Sequence, residues 1–238
     1  MKPLFTRIRI KLSGEALMGP SSHGLHAPTG ERIATDVAAA ATLGVQIGIV
    51  VGGGNFFRGI QGADKGIERA RADSIGMLAT VMNALALETA LEAAGQSARA
   101  LSAIPMPSVC QPYSRQAALN HLGKNRVVVL GGGTGNPFFT TDTGAALRAA
   151  ELSCHAVMKA TQVDGIYTAD PKKDKTARRY ERLTHDEAIN KNLAVMDTAA
   201  FAICRENRIP IIVFSLHEPG AIKAALQGKG KFTLVSPE

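Results

Sequence analysis

Val45-Gln46-Ile47-Gly48-Ile49-Val50-Val51-Gly52-Gly53-Gly54 is the stretch on which the fold turns. A nearly unbroken apolar, β-branched run stops at three consecutive glycines. A strand that is apolar throughout, without alternation, is covered on both faces, as in parallel sheets. Consecutive glycines cost backbone entropy, so the run makes sense where bare backbone N–H groups must come close to another group. From this segment alone a slack connector is the other possibility.

The same grammar recurs on either side. Arg7–Leu12 alternates basic and apolar residues and halts at Ser13-Gly14, and Arg126–Leu130 halts at Gly131-Gly132-Gly133. Helical spacing predicts helices over Ile33–Leu43, closed by Gly44, and over Ser74–Ala94, closed by Gly95. A short strand is expected at Ala98–Leu101, a helix from Thr141-Asp142 and a strand at Ala156–Lys159. Thr184–Glu187 reads as a capping box, Asp197–Glu206 as a helix and Ile211–Phe214 as a strand. Pro219 and Gly228 bracket another helix before a last strand, Phe232–Ser236. Alternating strands and helices predict an α/β protein with a mainly parallel sheet and helices on both faces. No linker, repeat or low-complexity tract interrupts residues 1–238, so one domain is expected.

Composition narrows the function classes. The formal charge is +7, which suits anionic partners. Aromatic residues make up 5% and tryptophan is absent, so stacking platforms are scarce and nucleic-acid binding is not expected as the main role. The three cysteines, Cys110, Cys154 and Cys204, form no close pair, which argues against a disulfide framework or zinc knuckle. No apolar run approaches the roughly 18 residues that span a bilayer, and no signal peptide is recognised. A cytoplasmic protein with reduced, buried thiols and no membrane association is expected.

In parallel α/β folds, ligands sit beyond the carboxyl ends of the strands. Three glycine-rich or polar loops fall there: Lys11–Gly14, Gly52–Gly59 and Gly131–Asp142. Neither GxxxxGK[ST] nor GxGxxG occurs, so neither a P-loop nor a dinucleotide fingerprint explains them. What they offer together is a distributed phosphate site, with backbone N–H groups, helix N-termini and two cations, Lys11 and Arg58. Thr134-Gly135-Asn136-Pro137-Phe138-Phe139-Thr140-Thr141-Asp142 adds hydroxyls, an amide, two aromatics and a carboxylate, a set able to read a base or sugar. The bland alternatives stay open here: Lys11 as a solvated strand end, the hydroxyls and Asp197 as helix caps, one phenylalanine in the core. Asp164–Pro171 reads as turns and a hairpin, or as a source of Tyr167 for adenine and Asp170 for ribose. His23 and His26 lack a third ligand, so no protein-built metal site is expected, and no nucleophile arrangement stands out.

Five collinear segments then resemble one family over nearly the whole chain: Lys11–Leu17, Gly52-Gly53-Gly54-Asn55 with Arg58-Gly59, Asp73–Asn83, Thr134–Asp142 and Lys159–Gly165. They are similar to the bacterial uridylate kinases of the amino-acid kinase superfamily. The resemblance implies a three-layer α/β/α sandwich and direct transfer of a phosphoryl group from ATP to UMP, with Mg²⁺ carried in as Mg-ATP. It implies ATP contacts at Lys11, Leu12, Ser13, Gly14, Gly54, Arg58, Thr161, Tyr167 and Asp170. UMP contacts are implied at Gly53, Asp73, Thr134, Gly135, Asn136, Pro137, Phe138, Phe139, Thr140 and Thr141. Lys11, Lys159, Asp142 and Asp197 are implied as catalytic. A homohexamer activated by GTP and inhibited by UTP is implied too, with Arg99 and Arg126 near the effector site. The loop Gly19–His26 departs from its relatives, which sets GTP activation apart as the expectation most in need of test. Kinases of carbamate, acetylglutamate or aspartate, and a regulator without turnover, are the rival expectations.

Overall fold

The computed structural model describes residues 2–58, 66–191, 193 and 195–238. Gly59, at the end of the second glycine loop, lies outside them. β1 (Arg7–Leu12) leads through one 3₁₀ turn, Gly14–Leu17, to α1 (Ala27–Ala41), β2 (Gln46–Val51), α2 (Arg69–Ala93) and β3 (Ala98–Ser102). Next come β4 (Gln111–Pro112), α3 (Arg115–Gly123), β5 (Val127–Gly131), α4 (Thr141–Glu151) and β6 (Ala156–Thr161). The chain closes with β7 (Arg182–Thr184), α5 (His185–Asn190), α6 (Thr198–Glu206), β8 (Ile211–Ser215), α7 (Ala221–Leu226) and β9 (Phe232–Ser236).

All these strands join one sheet in the order β4-β3-β5-β2-β1-β6-β8-β9-β7. Every pairing is parallel except β8 with β9. β1 lies at the centre, with Arg7 opposite Gln46 of β2 and Ile8 opposite Ala156 of β6. The strands feed two cores because successive side chains point to opposite faces. Ile8, Ile10, Ile49 and Val129 pack against α1, α2 and α7. Val50, Val128, Leu130 and Val157 pack against α3, α4 and α6. The result is helices, sheet, helices, in three layers. The carboxyl ends of β1, β2, β5 and β6 meet in the middle of one rim, where the glycine loops cluster.

Two helices begin earlier than periodicity predicts. α1 starts at Ala27 because Pro28, in its first turn, presets the helical φ; the predicted start, Ile33, is where its buried stripe Ile33, Ala34, Val37 and Ala40 begins. α2 starts at Arg69, where polar residues hide the onset. Nothing in the residue pattern pointed to β4, β7 or α3. The strands are only two and three residues long, and α3 buries just Ala118 and Leu122. By length and composition alone α2 could cross a membrane, a property it shares with core helices of folded domains. Its middle is apolar on both sides: Ala84, Leu87 and Leu91 fill the first core while Ile75, Leu78 and Met82 stay exposed. Cys154 and Cys204 are buried as expected, but Cys110 is only half-buried; all three are free thiols.

Candidate active site

Parallel register brings the lysines together. Lys11 of β1 stands directly opposite Lys159 of β6, on the sheet face that α4 covers. Two ammonium groups so placed repel unless a carboxylate separates them, and Asp142, in the first turn of α4, does this. Its Oδ1 lies 3.0 Å from Lys11 Nζ and its Oδ2 accepts from Lys159 Nζ at 2.5 Å. All three side chains are 11–13% exposed. Lys159 also donates to the Val195 carbonyl. Burial, with Lys11 adding to it, pulls the Lys159 ammonium below the usual lysine range against the opposing pull of Asp142. The Lys11 contact is an ion pair without hydrogen-bond alignment, so Asp142 Oδ1 is buried and lacks a hydrogen-bond donor.

The N-terminus of α4 is held onto this cluster by its cap. Thr140 Oγ1 accepts from the N–H groups of Asp142 and Thr143, both at 3.1 Å, and donates to Asp197 Oδ2. Thr143 Oγ1 donates to Asp197 Oδ1 at 2.7 Å, and that same oxygen accepts from the N–H of Ala200 at 3.0 Å, capping α6. Burial works to raise the Asp197 carboxyl, but the bonds from Thr140, Thr143 and Ala200 hold it below the usual range. Asp197 therefore stitches α6 to α4, and Asp142 is positioned through it. The helix N-terminus and the two lysines together form a concentrated positive end suited to phosphate oxygens.

Beside the cluster lies a recess of about 140 Å³ bounded by Gly53, Asp73, Thr80, Asn136, Phe139 and Thr141. Close backbone contact makes glycine necessary at its edge: a Cβ at Gly53 would stand 2.6 Å from the Gly76 carbonyl oxygen. Gly132, Gly133 and Gly135 turn the β5 loop with φ of 78°, 57° and 84°. Thr134 Oγ1 accepts from the N–H of Asn136 at 3.2 Å inside this turn, and Pro137 continues it. Phe138 holds φ 71°, a strained value for a bulky residue. Its N–H donates to Asp73 Oδ2 at 2.9 Å, and Arg69 Nε donates to both Asp73 oxygens at 3.0 and 2.9 Å. Neither aromatic is in the core: Phe138 is 64% exposed and Phe139 55%.

On the other side of the lysines the placement is looser. Leu12 is buried and offers only backbone, its carbonyl already taken by the N–H of Gly52 at 2.8 Å. Ser13 caps the 3₁₀ turn, accepting from Ala16 at 3.2 Å, and Gly14 packs against Gly54, whose N lies 2.7 Å from where a Cβ would be. Arg58 reaches across to Glu15. Thr161 ends β6 with its hydroxyl on the Val163 carbonyl at 2.5 Å. A recess of about 240 Å³ opens here between Ser13, Glu15, Arg32, Thr161, Gln162 and His217. Tyr167 and Asp170 are engaged within their own hairpin. The Tyr167 hydroxyl donates to Asp164 at 2.5 Å, and Asp170 accepts from the Lys172 N–H at 3.0 Å. Arg99 and Arg126 sit at the amino ends of β3 and β5, the opposite rim of the sheet, where they flank His121 and, with burial as the larger cause, lower its pKa.

The fold thus unites Lys11, Asp142 and Lys159, with Asp197 behind them and the Thr134–Thr141 loop and Asp73 alongside. Thr143 and Arg69 belong to this machinery and were not singled out from sequence. Arg69 was readable in principle, since it precedes Asp73 by one helical turn; Thr143 was not, because its partner Asp197 comes from a distant helix.

The family model described as the amino acid kinase family matches residues 6–215. The chain is 63% identical over 233 residues to the uridylate kinase of Azorhizobium caulinodans, covering 98% of each. It is 56% identical to that of Paramagnetospirillum magneticum, covering 98% of this chain and 97% of the relative. Among solved structures, the UMP kinase of Bacillus anthracis superposes with a TM-score of 0.95 at 37% identity, covering 98% of this chain and 97% of the other. The UMP kinase of Ureaplasma parvum gives 0.92 at 37% identity and 99% coverage of both.

Proposed function

The chain belongs to the amino acid kinase family, among its uridylate kinases, and from that premise we propose that it moves the γ-phosphoryl group of ATP onto the phosphate of UMP, giving ADP and UDP. The observation that carries this reading is the Lys11–Asp142–Lys159 cluster at the N-terminus of α4, set between two recesses. Phosphoryl transfer asks a protein to hold donor and acceptor in line and to stabilise charge on the moving group. The recess beside Asp73 takes UMP, with the hydroxyls, amide and aromatics of Thr134–Thr141 on its base and sugar. The recess beside Ser13 and Thr161 takes the donor, with Arg58 over its phosphates. Lys11 and Lys159 meet the transferring group between them, and no covalent enzyme intermediate is needed.

Among the described residues no group of three or more His, Cys, Asp or Glu side chains is arranged for a metal. Asp142, between the two lysines, is the carboxylate that would meet a cation arriving on ATP, its Oδ1 then exchanging the 3.0 Å ion pair with Lys11 for the cation. Mg²⁺ bound there would share its coordination with phosphate oxygens and neutralise their charge. Activation by GTP, inhibition by UTP, a homohexameric assembly, a cytoplasmic location and a place in pyrimidine nucleotide synthesis belong to the same proposal. An aspartate, carbamate or acetylglutamate acceptor is disfavoured by the exposed Phe138 and Phe139 beside the acceptor recess.

The test is ADP release from Mg-ATP with UMP, CMP, dUMP, AMP, carbamate, acetylglutamate and aspartate in parallel. UMP turnover far above the others is expected. Faster turnover of an amino acid or carbamate would overturn the acceptor, and silence with all of them would overturn the reaction.

A further inference from the structure

Two buried asparagines, which none of the site contacts above includes, lie beneath the glycine loops. Asn83 of α2 is 0% exposed and Asn55, in the loop after β2, is 3% exposed. Each amide donates to the other: Asn55 Nδ2 to Asn83 Oδ1 at 2.9 Å, and Asn83 Nδ2 to Asn55 Oδ1 at 2.7 Å. Their second amide hydrogens go to backbone, Asn83 to the Gly52 carbonyl at 2.6 Å and Asn55 to the Gly24 carbonyl at 2.9 Å. The N–H of Gly24 returns a bond to the Asn55 carbonyl at 2.8 Å. Gly14 presses on the pair so closely that a Cβ there would stand 2.5 Å from Asn55 Oδ1. One turn earlier on α2, Thr80 Oγ1 accepts from the N–H of Gly132 at 2.6 Å. Asp73, nearer the start of α2, holds the N–H of Phe138.

We infer that the Asn55–Asn83 pair, with Thr80, is a positioning device for phosphoryl transfer. It fixes the Gly52–Gly54 loop, which borders the acceptor recess at Gly53 and packs against Gly14 on the donor side, against the α2 helix that carries Asp73. The inference rests on the functional reading above. Every amide hydrogen of the pair is satisfied, and a fully bonded polar pair in a low-dielectric setting is rigid. Surface loops are ordinarily mobile; here the loops after β2 and β5 are bonded directly to α2, and the loop after β1 is joined to it through Asn55. The distance between donor and acceptor phosphates is then set by α2 rather than by the loops themselves. Asn55 and Asn83 touch neither reacting group in this scheme and act only through the backbone they hold, whereas Thr80 also borders the acceptor recess.

The experiment is steady-state turnover of Mg-ATP with UMP by the full chain and by Asn55→Ala, Asn83→Ala and the double variant. Measurements are made below each variant's melting temperature, which is recorded separately. A displacement of about 1 Å costs on the order of 100-fold in rate, so kcat of Asn83→Ala is expected to fall by that factor with KM for both substrates within about threefold. Because the two amides act as one unit, the double variant should be no slower than the slower single. If Asn83→Ala does not fold, Thr80→Val removes the Gly132 bond together with the bond Thr80 donates to the Met77 carbonyl of its own helix at 2.6 Å, and should lower kcat about tenfold, the rate equivalent of one hydrogen bond between the helix and the loop. Folded variants that keep kcat within threefold while only melting earlier would show a purely structural pair. Effects that multiply in the double variant would also overturn the inference. A parent silent with UMP would overturn the functional reading and this role with it, whereas with an active parent a negative result counts against the pair alone.

Discussion

Asp142→Asn takes away the carboxylate that Lys11 and Lys159 share, and the geometry sets the scale of the loss. The two contacts are 3.0 and 2.5 Å, and the three side chains are 11–13% exposed. At an effective dielectric near 20, a charge pair at about 4 Å is worth about 4 kcal/mol. The lysines have already given up water in the folded state, so removing their partner leaves two adjacent, poorly solvated cations. Breaking a buried pair in this way typically costs about 3–5 kcal/mol. That loss of unfolding free energy is expected at pH 7 without nucleotide, measured by urea denaturation. ATP should restore part of it, because its phosphates supply the missing negative charge. Ligand at 100 times Kd stabilises any binder by about 2.7 kcal/mol, so the diagnostic quantity is the extra gain of the variant over the parent. The deficit should also shrink as pH rises: with Asp142 gone, only the weaker pull of Asp197 opposes the burial and Lys11 charge that already lower the Lys159 ammonium, which then deprotonates at a lower pH. A variant within about 1 kcal/mol of the parent, or one that ATP stabilises no more than the parent, would refute the idea that Asp142 is the charge partner of both lysines.

Four further outcomes are expected. The Asp197 carboxyl titrates below its ordinary value of 3.8 when folded, so its contribution to stability is complete above that pH and disappears as acid reaches the lowered value; Asp197→Asn should flatten this part of the acid-denaturation curve. His185 is 1% exposed, with Nδ1 unpartnered, and burial lowers its pKa from 6.5; protonation favours the unfolded chain, so stability should fall as pH drops below 6.5, and urea curves of His185→Gln should lack that slope. Arg9 is wholly buried on β1, its guanidinium nitrogens without hydrogen-bond acceptors and the weakly polar Cys154 thiol alongside. Arg9→Met should raise the melting temperature, since an uncompensated buried charge is replaced by an apolar chain. A Cβ at Gly48 would stand 1.6 Å from Arg9 Nη1, so Gly48→Ala should be badly destabilised alone and tolerated in the Arg9→Met background.

The central strands and the glycine loops at their carboxyl ends were legible because each is local. Val45–Gly54 announces both a buried strand and its bare end, and the register of Lys11 with Lys159 follows once β1 and β6 are neighbours. The choice between helix cap and functional carboxylate at Asp197 was not legible, and the structure shows that it caps α6 while also gripping Thr140 and Thr143. Both descriptions hold for one residue, which no local pattern expresses. The phenylalanines were undecided for a similar reason: exposure at Phe138 follows from a left-handed backbone that sequence propensity disfavours. β4, β7 and α3 were missed because such short or weakly apolar segments owe their form to neighbours already in place.

The central place of β1 has a consequence for how the chain is made. Its partner β2 follows soon, but Ile8 pairs with Ala156, 148 positions later (156 − 8). At about 5–20 residues per second of synthesis, the first strand waits roughly 7–30 seconds before its second neighbour exists. Through that interval one edge of β1, with Ile8 and Ile10 at the heart of the first core, has no strand to pair with. Long-range parallel pairing is slow in any case, so a chain cut short before β6 should be sticky rather than merely inactive, and the nascent protein should depend on holdase chaperones until β6 has emerged.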